Sequence, residues 1–113
     1  EAGMKLIVGY LTAKPGRREA FLRAAQDHAV QSRAEPGCRY FELVALPDHP
    51  DRMLLAEAFD SEAAHRLHED TDHMRALWAI MPEYLAHASI DNVVSDAVTH
   101  DEDDFSSTPG PSA

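Results

Sequence analysis

The strongest constraint on this chain is a change of hydrophobic period that recurs in a fixed order between Met4 and Val98. Lys5 to Ala13 alternates with a period of two, setting Leu6, Val8 and Tyr10 against Ile7, Gly9 and Leu11, as a strand requires. Lys14-Pro15-Gly16 is a turn, with Pro15 placed to open a helix. Residues 17–34 then follow helical spacing, with Phe21, Leu22, Ala25, Ala29 and Ser32 on one face. Glu35-Pro36-Gly37 stops that helix, because proline disfavours helical geometry in the residue before it. Arg39 to Leu46 and Arg52 to Phe59 read as two strands joined through the turn-rich segment Pro47 to Asp51. Ser61 to Glu69 is a short helix capped by Asp60 or Ser61. A further helical piece capped by Thr71 runs to about Met81, where Pro82 bends or ends it, and His87 to Val98 is the last strand.

The order strand, helix, strand, strand, helix, strand predicts an α+β fold. With right-handed crossovers it gives a ferredoxin-like βαββαβ layer, a four-stranded antiparallel sheet with its helices on one face. A mixed sheet with a swapped edge strand is the alternative. The strands are apolar on both sides: Met53, Leu55 and Phe59 share one face of the third strand, and Leu54, Ala56 and Ala58 the other. A sheet shielded by helices on one side should be polar on the second. Either small apolar residues are merely enriched here, or a second copy packs its sheet against this one to make a homodimer.

Charge excludes some functions. The formal net charge is −10, opposite to what a nucleic-acid surface or an anionic membrane attracts. No apolar run is long enough to span a bilayer. No signal peptide is visible, Glu1-Ala2-Gly3 ahead of Met4 reads as an appended remnant, and a cytoplasmic location is expected. The single cysteine, Cys38, forms no internal disulfide and reads as an inert thiol. Asp101-Glu102-Asp103-Asp104 and the Ser/Pro-rich residues after them have the composition of a tail. The expected organisation is a domain over 4–99 and an acidic tail over 100–113.

Several segments carry a resemblance. They are Pro15-Gly16 with Phe21, the run Ser32 to Tyr40 around Glu35-Pro36-Gly37-Cys38, Glu57-Ala58-Phe59, Ser61-Glu62-Ala63, and His68-Glu69-Asp70-Thr71-Asp72-His73-Met74. Together they resemble the antibiotic biosynthesis monooxygenase family, over about Met4 to Val98. The resemblance implies a dimeric α/β barrel. It also implies a cofactor-independent oxygenation in which an aromatic quinol or polyketide-type substrate reacts directly with molecular oxygen. Other members of the family degrade haem or isomerise a phosphorylated sugar. The haem-degrading branch needs an Asn on the first strand and a His on the later helix, and alignment puts Gly9 and Trp78 there. An isomerase of a small phosphorylated or carbonyl metabolite would want a cavity cation, for which Arg66 and Arg75 are the nearby helix candidates. A non-catalytic dimer that binds a small molecule is the third reading.

His68 is the expected base. Ala64, Leu67 and His68 share helical spacing, and an imidazole, whose ordinary pKa lies near neutrality, can take a proton from an acidic phenol. His73, at the start of the next helix, is an auxiliary donor or a partner of Asp70. Tyr10, Tyr40, Phe59, Met74 and Trp78 are expected cavity walls, Tyr40 also as an oxyanion donor, although packing alone also accounts for the stripe Met74, Leu77, Trp78, Met81. Glu57 is either a catalytic acid or binding group, or one half of an ion pair with Arg39 or Arg52. Glu35 reads as a surface partner of Arg33 or Arg39. His28 lies near the apolar side of the first helix. A metal at His65, His68 and His73 is not expected, because the sequence shows no well-placed carboxylate to complete the set.

Overall fold

A computed structural model describes residues 3–106. Glu1, Ala2 and the end of the expected tail, 107–113, lie outside the described residues. The elements are β1 (Met4–Ala13), α1 (Arg18–Arg33), β2 (Cys38–Ala45), β3 (Arg52–Phe59), α2 (Glu62–Glu69), α3 (Asp72–Tyr84) and β4 (Leu85–Ser95). The four strands form one antiparallel sheet in the order β2-β3-β1-β4, the expected ferredoxin-like arrangement.

Two boundaries differ from expectation. α3 continues through Pro82 to Tyr84 and passes directly into β4, which begins at Leu85 rather than His87. Proline in the final turn removes only one hydrogen bond of the ladder, and the Lys14 ammonium donates to the Pro82 carbonyl at 2.7 Å. β4 stops at Ser95, and residues 97–106 have no regular secondary structure.

Alternation in the strands now acquires a direction. Ile7, Leu11 and Ala13 of β1, Phe41 of β2, and Met53, Leu55, Glu57 and Phe59 of β3 are buried on the face where the helices pack. Phe21, Ala25, His28 and Ser32 of α1 lie against it. The register places Phe41, Glu57, Ile7 and Asn92 in one row across the sheet, and Leu43, Leu55, Gly9 and Ile90 in the next. Gly9 is a point of close approach: a Cβ there would meet the Ser89 carbonyl oxygen at 2.2 Å and Ile90 Cα at 2.6 Å. No side chain fits at this position without moving β4, so an Asn is excluded on steric grounds.

The opposite face carries Leu6, Val8 and Tyr10 with Leu54, Ala56 and Ala58, flanked by Tyr40, Val44 and Val93. Tyr10 and Tyr40 are each 43% exposed there. They stand on the side away from the helices, which corrects the expectation that they wall the cavity. Alternation alone cannot say which parity faces the helices. Arg52 lies over the Tyr10 ring at 4.2 Å, so it is not the partner of Glu57.

Candidate active site

Three short local structures assemble the site. At the end of α1, the Glu35 N–H donates to the Ser32 carbonyl at 3.1 Å, and the Cys38 N–H donates to that of Glu35 at 3.2 Å. This turn needs Gly37, whose φ is +85° and whose missing Cβ would lie 2.8 Å from Ala64 Cβ. The turn therefore packs tightly on α2 and presents Glu35 to it. Ser61 caps α2 by accepting from the Ala64 N–H at 3.0 Å. Thr71 Oγ1 accepts from the Met74 N–H at 3.2 Å and donates to the His68 carbonyl at 2.8 Å. That hydroxyl ties the last turn of α2 to the first of α3, and fixes His68 and His73 relative to each other.

The buried face of α2 is His65 and His68. Leu67, grouped with His68 by spacing, is 70% exposed. His68 is 2% exposed and sits between two carboxylates. Its Nδ1 lies 2.9 Å and 3.0 Å from the two Glu35 oxygens, and its Nε2 lies 3.5 Å from Glu57 Oε1. Glu35 thus faces the histidines, contrary to the surface-pair expectation. Arg33 pairs with Glu42 at 3.1 Å and Arg39 with Asp60 at 2.7 Å. Glu57 likewise has neither Arg39 nor Arg52 as partner, and its Oε1 is buried without a hydrogen bond. Burial, reinforced by the negative charges of Glu35 and Glu69, pushes the Glu57 carboxyl from 4.5 up to about 7. His65 packs on Phe59, with ring centroids 5.2 Å apart, and burial pulls its pKa below the usual imidazole value.

A cavity of about 300 Å³ opens between α2, α3 and the β3-β1-β4 part of the sheet. Its titratable lining is Glu57, His65, His68 and Glu69; Ile7, Leu11, Leu55, Met74, Trp78 and Met81 supply apolar wall, and Asn92 adds an amide from β4. Of the expected residues, His68, Glu57, Met74 and Trp78 meet here. Trp78 is 60% exposed, so it stands at the mouth. Phe59 is fully buried behind His65 and His68 and does not line the cavity.

His73 does not line it either. Its Nε2 lies 2.6 Å from Glu35 Oε2 and its Nδ1 lies 2.9 Å from His28 Nδ1, so it acts behind Glu35 and pairs with no Asp70. His28 is buried between Phe41, His68 and His73, and burial pulls its pKa down to about 4. His65 and Asn92 were not expected in the cavity. The alternation of β4 pairs Asn92 with Ile7 and could have indicated it. Arg75 bonds to Asp70 and Asp72 on the surface, and neither Arg66 nor Arg75 lines the cavity. Burial pushes the Cys38 thiol up, as an inert thiol requires.

Comparison with known proteins gives a consistent result. The family model "Antibiotic biosynthesis monooxygenase" matches residues 4–79. The Bacillus subtilis protein named "Putative monooxygenase YcnE" is 31% identical over 83 residues, covering 74% of this chain and 87% of that one. Among solved structures, PA3566 from Pseudomonas aeruginosa is similar with a TM-score of 0.74 and 26% identity, covering 84% of this chain and 95% of that one. Rv0793 from Mycobacterium tuberculosis is similar with a TM-score of 0.70 and 26% identity, covering 88% and 97%.

Proposed function

Because the chain belongs to the antibiotic biosynthesis monooxygenase family, we propose that it oxygenates a quinol or polyketide-type aromatic without a cofactor, using His68 as the base. The observation that carries this reading is the placement of His68, with Nδ1 on Glu35 and Nε2 on the cavity side beside Glu57. With its Nδ1–H donated to the carboxylate, the ring keeps a lone pair on Nε2 and gains a counter-charge once protonated. An activated ring CH2 or phenol loses its proton to Nε2, and Asn92 lies within the same cavity to receive the oxyanion. The anion gives one electron to oxygen, and the radical pair combines to a peroxide. The peroxide takes the proton back from His68, and loss of water from the H–C–OOH carbon leaves C=O, which a quinol re-forms as a ring hydroxyl, so that one oxygen atom enters product and the other leaves as water. Trp78 and Met74 flank a flat ring, and His73 holds Glu35 in place.

The family's dimeric barrel would pack on the sheet face opposite the cavity. The face bearing Leu6, Val8, Tyr10, Leu54 and Val44 is what a second copy would cover, and among the described residues no Lys or Arg, the side chains the isomerase reading wants, lines the cavity.

The test is oxygen uptake by chelator-treated protein with a panel of hydroquinones and anthrones and no flavin. Uptake is expected with at least one compound, and His68→Ala should lower it at least about tenfold. Absence of uptake across the panel, or uptake indifferent to His68→Ala, overturns the reading.

A further inference from the structure

The Glu35 cluster has an arrangement that its role as a support for His68 does not use. We propose that Glu35, His68 and His73 form a binding site for a divalent transition-metal ion of the zinc type. The ligand atoms are His68 Nδ1, His73 Nε2 and the Glu35 carboxylate, all within 4.8 Å of one another. Two imidazoles and one carboxylate are a donor set that suits zinc, iron, nickel or copper and leaves a coordination position for water. The three come from three elements that the Gly37 turn and the Thr71 hydroxyl hold together, so an ion would take the place of the short hydrogen bonds between them after a small separation. It is screened without being sealed: the side chains of Glu35 and His73 are 14% and 11% exposed, and that of His68 is 2% exposed.

The outer nitrogens strengthen the inference. A metal-bound imidazole normally donates its other N–H to a carboxylate or another acceptor, which fixes its tautomer. His68 Nε2 points at Glu57 Oε1, 3.5 Å away, a buried oxygen with no hydrogen bond of its own. His73 Nδ1 points at His28 Nδ1, 2.9 Å away. His68 therefore has a carboxylate acceptor behind it, whereas His28 Nδ1 also faces the His73 carbonyl at 3.3 Å, to which it can donate. A dication would also offset the negative charge of Glu35 and of the buried Glu57, while Arg33, Arg39 and Arg52 are engaged with Glu42, Asp60 and Tyr10. Occupancy has a chemical consequence that rests on the proposed reaction. A metal on Nδ1 places the proton on Nε2, so His68 cannot act as a base while the ion is bound.

The test is calorimetric titration of the chelator-stripped full chain with Zn²⁺, paired with the visible spectrum of the Co²⁺ form. One ion per chain is expected, with a dissociation constant in the micromolar range or below, and with the intense visible bands of a low-coordinate Co²⁺ site. Glu35→Gln and His73→Asn should each weaken binding at least about tenfold, whereas His100→Asn, beside the acidic tail, should not. Should either variant fail to fold, histidine ¹⁵N spectra of the unaltered chain decide: Zn²⁺ must move His68 Nδ1 and His73 Nε2, and leave His49, His87 and His100 in place. Absence of saturable binding, binding that survives both substitutions, or shifts confined to the other histidines overturns the site. Metal binding without oxygen uptake would refute the reaction and keep the site; oxygen uptake without metal binding would do the reverse.

Discussion

Replacing Glu57 with glutamine is the sharpest probe of the buried network. Glu57 is 7% exposed, and burial followed by the charges of Glu35 and Glu69 raises its carboxyl from 4.5 to about 7. A pKa higher in the folded than in the unfolded chain gives a contribution that is fully present below pH 4.5. It is lost as pH rises through about 7. At about 1.4 kcal/mol per pH unit, the loss amounts to about 3 kcal/mol by about pH 8. Glutamine has nearly the same shape and no charge. Glu57→Gln should therefore be more stable than the parent by about 3 kcal/mol near pH 8, and about equal to it near pH 4.5. The assay is urea unfolding of metal-stripped protein at one chain concentration across that range. His28 supplies an internal check, because its pKa is lowered from 6.5 to about 4. Its contribution is present above 6.5 and is lost as pH falls through about 4, opposite in sign to that of Glu57. The opposing trends overlap in the parent, and the variant should keep only the trend of His28 and His65, both lowered by burial, with stability rising with pH. A variant less stable than the parent near pH 8 would refute this account, since it would mean that His68 holds Glu57 as a favourable anion.

The remaining predictions concern packing, capping and assembly. Gly9→Ala should cost about 2 kcal/mol in unfolding free energy, because its methyl meets β4 backbone rather than a movable side chain; an unchanged denaturation midpoint would contradict the close approach. Thr71→Ala should cost about 1 kcal/mol by loss of the α3 cap. It should also lower oxygen uptake, because the hydroxyl holds the His68 carbonyl. Val44→Asp, at a half-exposed position on the sheet face away from the helices, should leave the far-ultraviolet dichroism unchanged and convert a sedimenting dimer to a single chain. A parent chain that sediments as a monomer would remove the basis of that last prediction.

The architecture was legible because each strand and helix announces its own period over eight or more residues, with Pro36-Gly37, Ser61 and Thr71 marking the boundaries. The site was legible only in part. His68, Glu57, Met74 and Trp78 could be placed because each belongs to a periodic stripe. Glu35 could not: it meets His68 across a sequence separation of 33 residues, and nothing local distinguishes it from a surface carboxylate. α2 has only eight residues, too few to fix the phase of its buried stripe, so spacing alone groups Leu67 with His68 although His65 is the residue that turns inward. Tyr10 and Tyr40 fail for a different reason. Alternation establishes that two faces exist, and only the helix packing decides which of them becomes the cavity floor.

The central claim is that the cavity makes an aromatic anion before oxygen arrives. The most direct measurement is the absorption spectrum of a hydroquinone or anthrone bound to chelator-treated protein in the absence of oxygen. The account predicts the spectrum of the ligand anion at a pH where the free ligand is neutral, and the neutral spectrum with His68→Ala. A ligand bound in its neutral form by the unaltered protein would contradict it.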